Sequence, residues 1–96
     1  MDNPLFDWDN ANIAQIAEHD VALEEAEEVI LGDPLEARVD SEEGDEERWS
    51  YLGATNRGRI LRVLITMRGE RIRVVTAFEP ERRYKLLYLE MKAGRQ

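Results

Sequence analysis

From Arg59 to Ala77 the chain twice alternates apolar with polar residues across one tight link. Leu61, Val63, Ile65 and Met67 share one side of the first run, with Arg62 and Thr66 on the other. A period of two is the signature of a strand with one buried face. Arg68-Gly69-Glu70 is short enough to be a hairpin turn, and Arg71 to Ala77 resumes the alternation, Ile72, Val74 and Thr76 against Arg71, Arg73 and Val75. An antiparallel hairpin with one apolar face must be covered by another layer, and this requirement organises the rest of the chain.

The flanking segments supply that layer. Phe6-Asp7-Trp8 reads as a short strand or extended arm, and Asp9 is placed to cap a helix carrying Ile13, Ile16 and Ala17 on one face, ending near His19-Asp20. Leu23 to Leu31 predicts a second helix, with Leu23, Ala26, Val29 and Ile30 inward and Glu24, Glu25, Glu27 and Glu28 solvated. Gly32 is expected in the left-handed region after it, followed by Asp33-Pro34. Leu35 to Val39 suits a short strand, residues 40–47 an acidic loop, and Arg48 to Leu52 another strand with Trp49 and Tyr51 on one side. Gly53 to Gly58 is turn material. A last helix is expected over about 79–92, with Pro80 in its first turn. Tyr84, Leu87, Tyr88 and Met91 form its main apolar face, and Leu86 and Leu89 widen it beyond what one sheet surface needs. The order gives a single α+β domain over 1–96: two helices, an antiparallel sheet of three to five strands, and a C-terminal helix.

The charge is sorted along the chain. Residues 1–56 hold 17 Asp and Glu against Arg38 and Arg48, a net of −15; residues 57–96 hold 11 Lys and Arg against four Glu, a net of +7. Such asymmetry points to nucleic acid or a charged protein partner. Nine of the 11 are Arg, whose planar fork suits phosphate and carboxylate. The chain has no Cys and one His, which excludes disulfides and argues against a zinc site. No apolar stretch is long enough for a bilayer, and the acidic start lacks the basic residues of a secretory signal, so the expected compartment is the cytoplasm.

In order and spacing the chain resembles the BrnT family. The resemblance rests on Phe6-Asp7-Trp8-Asp9, Asn12, Ile16, His19, Val21, Glu24-Glu25 and Glu28. It continues through Gly53, Arg57 to Leu61, Thr66, Arg68-Gly69 and Arg71 to Ala77, then the Arg82-Arg83 pair before a Tyr. It implies a RelE-like α+β fold and the toxin role in a type II toxin–antitoxin pair. It also implies metal-independent endoribonuclease activity without a cofactor, and neutralisation by a BrnA-type antitoxin of the ribbon-helix-helix class. Apart from the resemblance, the surplus apolar surface at Leu86 and Leu89 is a candidate docking site for an antitoxin or a second copy, which would give a toxin–antitoxin heteromer or a homodimer. The chain departs from the family pattern at Gln15, Glu18, Asp20 and Phe78, where a His or basic residue, a basic residue, Gly and Arg are usual. A competing expectation follows: a BrnT-like protein that binds or regulates without cleaving.

Cleaving RNA without a metal needs a base for the 2′-hydroxyl, cations for the charged phosphorane and an acid for the leaving oxygen. His19 is the only His, and its carboxylate neighbours Glu18 and Asp20 suit an acid better than a base. Arg73, Arg82 and Arg83 are the expected transition-state cations. Arg82 and Arg83 stand at the helix end where cations are disfavoured, unless a phosphate binds there. Arg59 and Arg71 are expected RNA contacts, with Arg62 beside Arg71 and Arg73. Trp8 and Asp9 read as core anchor and helix cap, and Trp49 and Tyr51 as packing. The proposal requires these guanidinium groups to converge on one anion-attracting pocket.

Overall fold

The alternating runs form adjoining strands, and a computed structural model describes residues 3–39 and 47–94. Helices α1 (Asn10–Ala17) and α2 (Leu23–Leu31) precede strands β1 (Leu35–Val39), β2 (Arg48–Ala54), β3 (Ile60–Arg68) and β4 (Arg71–Phe78). Helix α3 (Arg82–Ala93) closes the chain. The four strands make one antiparallel sheet in sequence order, a plain meander. The result is α+β, with helices on a single antiparallel sheet.

One sheet face carries the core. Leu61, Val63 and Ile65 are fully or almost fully buried there, with Ile16 of α1 and Ala26 and Val29 of α2 set against them. Helix α2 comes closest where side chains run out: a Cβ on Gly53 would stand 3.0 Å from both Val29 Cγ1 and Pro34 Cβ. Gly53 and Ala54 therefore belong to β2 and not to the expected turn. The turn is narrower, closed by the Thr55 amide donating to the Arg59 carbonyl at 2.8 Å. Gly58, at φ 83°, supplies the left-handed residue in it.

Three further expectations are corrected. The register shifts between Leu64 and Ile65, so that Leu64 faces Thr76 while Ile65 faces Val74. Val75 is the extra residue of a bulge, and past it Ala77, not Thr76, continues the buried face of Val74. Gly32 lies at φ −84°, outside the left-handed region. Helix α3 begins at Arg82, so Pro80 precedes it, buried, in the link from β4.

The arm ahead of α1 closes one side of the sheet. Phe6 forms a parallel bridge with Ile72. Ile72 N–H donates to the Leu5 carbonyl and Asp7 N–H to the Ile72 carbonyl, each at 2.8 Å. Phe6 itself is 1% exposed, one of the largest fully buried side chains. The bulk of the acidic loop expected over 40–47 lies outside the described residues. No helix of the described chain is long and apolar enough to cross a membrane.

Candidate functional site

The cations divide between the two ends of β4. At its start, Arg73 is held by the N-terminal arm: Nη2 donates to Asp9 Oδ2 at 2.9 Å, and Nη1 stands 3.6 Å from Asp7 Oδ2. Arg71 donates to the Phe6 carbonyl, and Arg68 lies 3.9 Å from Asp7. Asp9 also accepts from the Asn12 amide as the α1 cap while Asn12 Oδ1 accepts from the Asp9 amide, a reciprocal box. The Asn12 amide bond and then Arg73 hold the Asp9 carboxyl below the usual carboxylate range.

At the other end, β4 delivers Phe78 against the exposed His19 in the turn after α1, ring centroids 6.0 Å apart. Arg59, entering β3, crosses to the same turn. Its Nη1 donates to the Asp20 carbonyl at 2.7 Å and to Glu25 Oε1 at 2.9 Å. Asp20 has φ 60°, the only positive φ outside glycine among the described residues, so Arg59 fastens the turn where its backbone is least relaxed. Burial pushes the Glu25 carboxyl up, but the Ala22 amide and Arg59 outweigh it and leave it below its ordinary value. Glu79, one residue past Phe78, accepts from Lys85 at 2.9 Å and is also held low, by Lys85 first and with a smaller pull from Arg59.

Helix α3 opens beside this corner after a short link. Arg82 is exposed and makes no hydrogen bond or ion pair with the described residues. Arg83 makes a surface pair with Glu81 at 3.2 Å and lies over the Tyr84 ring. Arg62 is not a neighbour of Arg71 and Arg73: it pairs across with Phe78, donates to Ser50 Oγ at 2.6 Å and stacks on Tyr84.

The structure thus brings His19 and Arg59 to one corner, with Arg82 and Arg83 opening the helix that follows it. It leaves Arg71 and Arg73 at the far end of β4. The step from Arg73 to Phe78 is five strand residues, roughly 16 Å at the usual rise. Among the described residues, Arg71 and Arg73 therefore do not share one pocket with His19 and Arg59. Nor is the Glu run of α2 merely solvated: Glu25 holds Arg59, Glu27 accepts from Trp8 Nε1 at 2.9 Å and Glu28 from the Asn56 amide at 2.9 Å. Sequence reasoning missed Asn12, whose Nδ2 donates to the Val74 carbonyl from a buried position. Its signal was the Asp9-x-x-Asn12 spacing. Among the described residues no three His, Cys, Asp or Glu side chains are grouped to hold a metal ion.

The structure is a small α+β domain with the exposed His19 against Phe78 and an arginine pair at the head of its last helix. The family model for BrnT, the ribonuclease toxin of type II toxin–antitoxin systems, matches residues 8–83, and the chain belongs to that family. Membership brings with it an antitoxin partner. A search of the curated proteins found no match.

Proposed function

We propose that this chain is a metal-independent endoribonuclease of the cytoplasm, neutralised by a BrnA-type antitoxin of the ribbon-helix-helix class. The observation that carries the reading is the corner at the end of β4: an exposed His19 beside Phe78, with Arg82, which has no partner among the described residues, at the head of the next helix. The 2′-hydroxyl attacks the adjacent phosphorus and gives its proton to solvent water, the bond from phosphorus to the 5′-oxygen breaks, and His19 donates a proton to that leaving oxygen. Arg82 and Arg83 bind the scissile phosphate and stabilise the charge it gains in the transition state. Arg59 acts by holding the Asp20 carbonyl, and with it the His19 turn. Arg73 and Arg71 act one step further away, by fastening the N-terminal arm.

The test is cleavage of RNA by the purified chain in excess chelator. Wild type cuts, His19→Gln loses about 10²-fold or more, the scale of a lost general acid, and a ribbon-helix-helix antitoxin suppresses the cut. A specific observation favours the second reading, a binding or regulatory module: Arg59 and Arg73 are already matched by Glu25 and by Asp7 and Asp9. Tight antitoxin binding with no cleavage of any RNA would establish it and remove the first.

A further inference from the structure

The two edges of the sheet are treated differently. The β4 edge is closed by the chain's own arm through Phe6 and Ile72. At the other edge, no described residue pairs with the outer side of β1. An open strand edge presents unpaired backbone groups and is a template for another strand.

We propose that β1 pairs antiparallel with β1 of a second copy of this chain, in a register centred on Ala37, giving one continuous eight-stranded sheet. The sequence of the strand, Leu35-Glu36-Ala37-Arg38-Val39, is complementary to itself in that direction. Position 36 falls opposite position 38 of the partner, acidic against basic, and does so twice by symmetry. Position 35 falls opposite position 39, apolar against apolar. Both kinds of cross-strand pair are favourable, and a two-fold axis requires this kind of self-matching.

A five-residue strand pairing is too small by itself to hold a dimer, since stable interfaces bury about 1,200–2,000 Å² in all. The remaining surface lies beside it. Leu35 and Ala37 line a groove of about 270 Å³ together with Leu52, Tyr84, Leu87 and Met91. Helix α3, which roofs this groove, buries none of its residues; Leu87 and Met91 are 43% and 46% exposed, and Leu86 and Leu89 are 47% and 53% exposed. A sheet continued through β1 sets the two grooves side by side on the α3 face. The apolar stripe of positions 35, 37 and 39 then runs across the axis and the apolar rims of both helices face it.

Sedimentation of the purified full chain from micromolar to submillimolar concentration tests the interface and its register. Wild type is expected to show a dimer of twice its 11.2 kDa mass in reversible exchange with monomer. Glu36→Arg places like charges opposite each other at both symmetric positions and should weaken the dimer about tenfold. The double change Glu36→Arg with Arg38→Glu restores opposite charges and should recover it, with thermal melts confirming that each variant folds. A wild-type chain that stays monomeric throughout, a dimer indifferent to Glu36→Arg, or a double variant as weak as the single overturns the proposal. None of these readouts depends on RNA cleavage.

Discussion

Asn12 does more at the residue scale than any of the candidate catalytic groups. It is buried, takes the Asp9 amide on Oδ1 and gives Nδ2 to the Val74 carbonyl, so a single side chain ties the start of α1 to the middle of β4. Replacing it with Ala leaves a buried carbonyl without its donor, and such groups cost about 1–3 kcal/mol. Urea unfolding of Asn12→Ala should show a loss in that range. A loss near zero would mean that the carbonyl finds another partner. Arg59 is the second residue of this kind. Expected from sequence as an RNA contact, it holds the backbone of the turn after α1 and a carboxylate of α2.

Elements differ in how plainly their residues announce them. Helix α2 and strand β1 run over the spans expected for them because local periodicity and the Asp33-Pro34 stop act within a few residues. The β4 bulge left no mark of that kind, since an extra residue in a strand changes which side chains face inward without changing their types. The candidate site was legible only as a set of residue types. Alternation placed Arg71 and Arg73 on one side of a strand, but the carboxylate that holds Arg73 is 64 residues away in sequence, and only folding shows it. Two element contacts give predictions. Phe6→Ala removes the buried anchor of the arm, and Phe-to-Ala losses in a core run about 3–5 kcal/mol, a large share of what a domain of this size holds. Thermal melts should drop steeply, and the Ile72 amide, which donates to the Leu5 carbonyl, should gain exchange. Gly53→Ala tests the opposite fault, overpacking: its methyl group meets Val29 and Pro34 at 3.0 Å, so α2 must lift from β2 at about 1–3 kcal/mol. Unchanged stability would show that Pro34 and Val29 can give way.

Across the whole molecule, folding brings the acidic half of the chain onto the basic half. Asp7 and Asp9 meet Arg73, Glu25 meets Arg59 and Asp33 meets Lys92 at 2.7 Å, each pair joining a carboxylate from residues 1–56 to a cation from 57–96. Stability should therefore vary with pH in a defined direction. Asp9, Glu25 and Glu79 all have carboxyls held below their unfolded values. The stability they confer is present above the ordinary carboxylate range and is lost as pH falls through their lower folded values. Tyr51 sets the alkaline side: burial first, and the hydrogen bond to Glu36 second, push its hydroxyl above the normal 10.0. Its contribution is intact below that value and disappears as pH rises through the folded one. Urea midpoints measured across pH should thus form a plateau that falls at both ends. Arg59→Gln separates this electrostatic account from simple loss of packing. Without the guanidinium, Glu25 returns toward its ordinary value, so the variant should be weaker than wild type at neutral pH and converge on it in acid. A gap that stays constant down to low pH would mean that Arg59 stabilises the molecule by its hydrogen bond to Asp20 and its packing alone, and that the sorted charges contribute nothing through this pair.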